Sequence, residues 1–207
     1  MPVTLTQADY NELYYTAGGA VGGYDNYNEN SASSETTVQC AAAMIAKLAA
    51  NGIDIVGKKV LDVGCGYGFL GKYLLAQGVD VYGMDWSAWA VAHVVPEMAG
   101  RVIQGSSIDP AAWTAVRALA GLSGGGGPKG KFDVIIDQDM IVCLTDAQAT
   151  QFLTLAKANS NFLIHYLESY NPHIVAWYNY KTLAEWKAFA GNDPKEKWYS
   201  RFYWLET

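Results

Sequence analysis

From Lys59 onward the chain alternates short apolar runs with stretches of helical spacing, and this alternation constrains the fold more than any other feature. The runs are KVLDV, VDVYGMD, RVIQG, FDVIID and NFLIHYLE, and between them lie FLGKYLLAQG, SAWAVAHVV, PAAWTAVRALAGL and DAQATQFLTLAKAN. Short, nearly continuous apolar runs fit strands buried on both faces. Strands alternating with helices build βαβ units, so the expected class is α/β: a Rossmann-like, mostly parallel central sheet flanked by helices.

Ahead of this core, Thr4 and Gln7 have capping-box spacing, and Tyr10, Leu13 and Tyr14 share a helical face, which predicts a short first helix. Thr36 and Gln39 repeat the spacing before VQCAAAMIAKLAANG, where Val38, Ala41, Ala42, Ile45, Leu48 and Ala49 form an apolar stripe stopped by Asn51-Gly52. Between the two helices stands GGAVGGYDNYNEN, a glycine- and tyrosine-rich segment that reads as a lid or an aromatic cover. After the core, TLAEWKAFAG predicts a helix and SRFYWLE a final strand, antiparallel to the rest at the sheet edge. The glycine run SGGGGPKG is a surface loop. At 207 residues the chain suits one domain, with 1–36 as an N-terminal cap or lid, 59–168 as the core and 169–207 as an aromatic-rich extension.

Composition narrows the function classes. A net charge of −6 with no Lys/Arg run argues against a nucleic-acid partner. The three cysteines, Cys40, Cys65 and Cys143, have no CxxC spacing, which suggests reduced thiols in a cytoplasm. The N-terminus has no basic start followed by an apolar run, and no stretch reaches the length of a membrane span, so a soluble, cytoplasmic protein is expected.

The chemistry-bearing segment is KKVLDVGCGYGFLGKYL, in which a strand enters Gly64, Gly66 and Gly68 and a helix leaves them. Such a turn lets backbone approach a ligand at the carboxyl end of a strand. Gly66, Gly68 and Gly71 also satisfy G-x-G-x-x-G, but counting from the turn's first glycine puts Phe69 in the third glycine's place. Asp62 beside the turn repels a pyrophosphate and attracts an ammonium group, which disfavours a nicotinamide dinucleotide.

VLDVGCGYG followed by VYGMDWS resembles motif I and the second-strand acidic motif of class I S-adenosylmethionine-dependent methyltransferases, over roughly Lys59 to Glu168. The resemblance implies the class I methyltransferase fold and S-adenosyl-L-methionine as cofactor. It implies that Gly64, Cys65, Gly66 and Gly68 flank the methionine and ribose of the cofactor, and that Asp62 faces the amino group. Asp85 matches the carboxylate that takes both ribose hydroxyls, and Trp86 packs against adenine. Ser106 and Ser107 stand where many relatives carry an adenine-binding Asp. Asp137, Gln138 and Asp139 lie beside the transferring methyl, and Tyr24 and Tyr27 cap the cofactor.

Two departures bear on the acceptor. The Glu-His pair that follows the fourth strand in many small-molecule methyltransferases is replaced by Val142 and Cys143. Asp137 and Asp139 resemble the carboxylates of metal-dependent catechol-type enzymes, but no further ligand set accompanies them, and no metal is expected. Methyl transfer needs a base only if the acceptor atom must lose a proton. His165, at the carboxyl end of NFLIHYLE, is the leading base, with Asp139 as the second catalytic candidate; His93 reads as structural and His173 as exposed. The expected activity is methyl transfer to a small-molecule acceptor. The alternatives are a protein or nucleic-acid acceptor, and a cofactor-binding relative that does no transfer.

Overall fold

The computed structural model describes residues 5–17, 23–24, 26–28, 38–122, 130–167, 179 and 181–200, with backbone alone at 38–40 and 200. Among the described residues six strands form one sheet: β1 (Lys59–Val63), β2 (Asp80–Asp85), β3 (Val102–Gln104), β4 (Phe132–Gln138), β5 (Ser160–Leu167) and β6 (Glu196–Ser200). Their order is β3-β2-β1-β4-β5-β6, and every neighbouring pair is parallel. The chain therefore reverses its direction of sheet-building between β1 and β4, and open α/β sheets hold ligands at the strand carboxyl ends beside such a reversal.

The helices are α1 (Glu12–Thr16), α2 (Val38–Ala50), α3 (Phe69–Ala76), α4 (Ala88–Ala92), α5 (Pro110–Leu119), α6 (Asp146–Asn159) and α7 (Leu183–Phe189). Period-2 alternation divides the strand side chains between two cores. Leu61, Ile135, Leu163 and Leu167 join Trp113, Phe152 and Trp186 on one face, while Val60, Val134, Ile136 and Ile164 join Met44, Leu48, Leu70 and Leu74 on the other.

Two sequence expectations are corrected. The first helix begins at Glu12 rather than near Thr4, because the Asn11 side chain accepts from the backbone N–H groups of Leu13 and Tyr14. Tyr14 and Tyr15 are its buried residues, and Leu13 is exposed. On α2 the buried stripe runs through Ala41, Met44 and Leu48, with Ala42 and Ala49 exposed. The last described strand, β6, runs parallel to β5 because α7 carries the chain back before it begins, and the antiparallel strand expected over SRFYWLE lies, but for Ser200, outside the described residues. Thr4, Thr36, His173, most of the glycine loop and the final seven residues lie outside the described residues.

Candidate active site

β1 delivers the chain into the turn Gly64-Cys65-Gly66-Tyr67-Gly68, where the glycines adopt φ values of 78°, 55° and 79°. At Gly64 a Cβ would lie 2.8 Å from the Met140 side chain, and at Gly66 2.6 Å from the Tyr27 hydroxyl. Glycine here permits both a left-handed backbone and the close approach of two neighbouring segments. Asp85, ending β2, closes the turn: its Oδ2 accepts from Gly66 N at 2.8 Å and its Oδ1 from Ser87 N at 2.8 Å. Burial pushes Asp85 above its usual range, and those two donors pull the other way. Each oxygen keeps lone-pair capacity for another donor.

Asp62 lies beneath the turn, 3% exposed. Burial first, then the charges of Asp85 and Asp137, push its carboxyl up to about 7. These are three carboxyl groups around one strand-end region, an arrangement that favours a cation.

Asp137 is fully buried and fully used. Its Oδ1 accepts from Met140 N at 3.0 Å and Ile141 N at 3.1 Å, and its Oδ2 stands 2.8 Å from His165 Nδ1. His165 is also enclosed, stacked on Trp198 with centroids 3.7 Å apart, and its Nε2 has no hydrogen-bond partner among the described residues. The pair therefore ties the segment after β4 to β5. That segment carries Asp139 at φ 56°, its N–H donating to Tyr166 O at 3.0 Å.

The N-terminal segment docks over these strand ends. Gln7 Nε2 donates to Trp86 O at 2.7 Å, and Ser87 Oγ donates to Tyr10 O at 2.6 Å while capping α4. Tyr24 N donates to Tyr14 O and Tyr27 N to Tyr15 O, both at 2.7 Å, so the described part of GGAVGGYDNYNEN lies alongside α1. Burial raises the hydroxyl pKa of Tyr10, Tyr15 and Tyr27, which keeps these phenols neutral.

Between this cover and the sheet lies a cleft with about 870 Å³ of atom-free space, the solvent at its mouth included. Tyr24, Tyr27, Gly64, Gly66, Asp85, Trp86, Ser106, Ser107, Gln138 and Asp139 all line it. Asp62, Cys65, Gly68, Asp137 and His165 do not: Cys65 packs toward Gly83 of β2, and Gly68 caps α3. The N-cap of α5 uses Asp109, which lies outside the cleft. Sequence reasoning missed Tyr10, Tyr14, Tyr15, Met140 and Cys143 as lining residues. The signal for the tyrosines was their density before the glycines, whereas a second dense set of aromatics lies in the C-terminal extension. Of those, Trp186 and Trp198 belong to the core.

Among the described residues no group of three His, Cys, Asp or Glu side chains could hold a metal ion, and no helix is long and apolar enough to cross a membrane.

A family model described as a methyltransferase domain matches residues 36–200. Among solved structures, magnesium protoporphyrin IX methyltransferase (ChlM) from Synechocystis PCC 6803 with bound SAM is 21% identical, with 76% of this chain and 68% of that chain covered and a TM-score of 0.52. A SAM-dependent methyltransferase from Archaeoglobus fulgidus is 16% identical over 59% of this chain and 49% of its own, with a TM-score of 0.42. A TehB-like SAM-dependent methyltransferase from Corynebacterium glutamicum is 19% identical over 75% and 81%, with a TM-score of 0.46. The chain thus spans about two thirds of the first of these structures and about half of the second. No curated protein matches the chain.

Proposed function

The chain belongs to the methyltransferase domain family, and we propose that it transfers a methyl group from S-adenosylmethionine to a small-molecule acceptor. The observation that carries this reading is the union, in one cleft, of the left-handed glycine turn, Asp85 at the end of β2 and a wall of N-terminal tyrosines.

The residues fit the cofactor by their chemistry. Gly64 and Gly66 leave room for a ligand to lie against backbone, and Asp85 offers two oxygens to a vicinal diol. Trp86, Ser106 and Ser107 offer a ring and hydroxyls for the base. Asp62 and Asp137 place negative charge behind a cationic ligand, and Gln138 lines the same side. When bound, S-adenosylmethionine supplies a methyl group on a sulfonium sulfur. The chain's contribution is to hold the acceptor in line with that methyl, and positioning of this kind can supply ~7–11 kcal/mol of barrier reduction. Tyr24 and Tyr27 exclude water from above. Asp139 is the candidate catalytic carboxylate, and His165 acts as a positioning residue through Asp137.

Three features support a small acceptor. The cleft is concave and lined largely by aromatic side chains with a few polar groups, as small-molecule sites are, and cofactor and acceptor must share it. The net charge of −6 works against a nucleic-acid acceptor. Free thiols at Cys65 and Cys143 suit a cytoplasmic setting. Calorimetry with S-adenosylmethionine, S-adenosylhomocysteine and NAD tests the cofactor: binding of the first two but not the third is expected, and the reverse overturns the reading. Formation of S-adenosylhomocysteine with a panel of acceptors then separates an enzyme from a binder.

A further inference from the structure

We propose that the acceptor is a small amine, held in the tyrosine-walled part of the cleft and converted there to an N-methylammonium ion. This inference rests on the methyl-transfer reading and names the substrate class of the same site.

The walls carry the inference. Five tyrosines, Tyr10, Tyr14, Tyr15, Tyr24 and Tyr27, line the cleft together with Trp86. Tyr14 and Tyr24 meet at 88° with centroids 5.7 Å apart, Tyr15 and Tyr27 at 67° and 5.5 Å, and Tyr10 and Trp86 at 51° and 5.8 Å. Tyr15 and Tyr24 are stacked at 14° and 6.4 Å, so inclined and stacked rings together form a continuous aromatic wall along the cleft, and electron-rich aromatic walls attract ammonium groups. Asp85 and Asp139 are the charged residues that line the cleft, and among its described lining residues there is no Lys, Arg or His.

Charge bookkeeping then separates the acceptor classes. A carboxylate enters as an anion, and a phenol or thiol must become one to react, and here that anion meets carboxylates and ring faces in a partly desolvated site. An amine is attracted as its ammonium ion and, once that ion has given a proton to Asp139 or water, is a neutral nucleophile. Its nitrogen lone pair forms the N–C bond as the C–S bond breaks, and that bonding pair leaves with sulfur. The positive charge passes from sulfur to nitrogen without being neutralised, so walls that favour a cation serve reactant, transition state and product alike. The ammonium proton is lost afterwards to Asp139 or water. The buried phenols of Tyr10, Tyr15 and Tyr27 stay protonated, so they are unsuited to deprotonating an alcohol or phenol acceptor, and the proton that an alkylammonium loses before it attacks goes to Asp139 or water.

The test begins with calorimetry. Heat from S-adenosylmethionine and S-adenosylhomocysteine establishes the cofactor site; if neither binds, the parent reading falls and this inference with it. Tetramethylammonium is then titrated into protein saturated with S-adenosylhomocysteine, where saturable binding is expected. Tyr24→Leu should weaken that binding about 2- to 30-fold, the span of measured cation–π contributions, while Tyr24→Phe retains it because the ring remains. In turnover, primary and secondary alkylamines should outpace carboxylates, phenols and thiols. Absence of tetramethylammonium binding by a protein that binds the cofactor overturns the amine assignment alone. So does turnover confined to non-amine acceptors or to lysines of a protein. The wild-type titration and the acceptor panel decide the matter even if Tyr24→Leu fails to fold.

Discussion

At the scale of single residues, Asp62 ties pH to both stability and binding. Its carboxyl titrates near 7 in the folded chain, well above the ordinary carboxylate value. Between about pH 4 and pH 7 the folded state therefore binds more protons at this site than the unfolded chain, so its contribution to stability falls as pH rises through that window. The cofactor-free protein should lose melting temperature from pH 5 to pH 8 more steeply than Asp62→Asn does, a difference that differential scanning calorimetry resolves. A cation bound nearby favours the ionised form. Affinity for S-adenosylmethionine should accordingly rise about tenfold from pH 6 to pH 8, as expected for a group of pKa near 7 that must ionise, and Asp62→Asn should flatten the profile. Gly66→Ala confronts a left-handed φ and the Tyr27 hydroxyl at once. It should cost roughly 1–3 kcal/mol of stability and at least tenfold in cofactor affinity, readable by chemical denaturation and calorimetry.

At the scale of elements, the segment after β4 is shaped by partners far away in sequence. Asp137 gathers Met140 N, Ile141 N and His165 Nδ1, while Asn179 reaches Leu144 O with its side chain at 3.0 Å and Val142 O with its backbone N–H. Removing the imidazole leaves a buried carboxylate without its neighbour on β5. His165→Ala should destabilise the fold by about 3–5 kcal/mol and lower turnover, with His165→Asn recovering part of both because an amide can still donate to Asp137. A base acting directly on the acceptor predicts another result: lost turnover at unchanged stability, with no recovery by Asn. Denaturation curves and initial rates for the two variants distinguish these outcomes. The sequence made Asp137 and His165 visible as polar residues at the ends of two apolar runs. It did not reveal their contact, because Asp137 and His165 meet only through the register of β4 and β5.

At the scale of the whole molecule, the sheet is completed by β6, whose Trp198 lies over His165 and stacks with Trp186 of α7 at 12° and 6.0 Å. Ending the chain at residue 178 removes that layer, bares the β5 edge and withdraws Asn179 from the segment after β4. The truncated protein should lose near-ultraviolet circular dichroism and aggregate, since an unpaired apolar edge templates association. Much of this architecture was legible in advance. KVLDV marked β1 to the residue, the alternation of runs predicted an α/β sheet, and VLDVGCGYG with VYGMDWS located the glycine turn and Asp85, because local propensity, turn chemistry and strand-end placement are written in neighbouring residues. The parallel pairing of β6 beside β5 was not legible, since it depends on where α7 returns the chain. Nor was the division of the carboxylates into Asp85 and Asp139 on the cleft wall and Asp62 and Asp137 behind it. The wall of Tyr10, Tyr14, Tyr15, Tyr24 and Tyr27 belongs with these. Its members are scattered along the N-terminal segment, and only the docking of that segment on Trp86 and Ser87, through hydrogen bonds spanning more than seventy positions, places them over the glycine turn. The sequence by itself determined the fold class and the placing of the glycine turn and Asp85 at neighbouring strand ends, both of which follow from local pattern. Tertiary structure alone decided which side chains line the cleft, because strand register and long-range docking are properties of the packed chain.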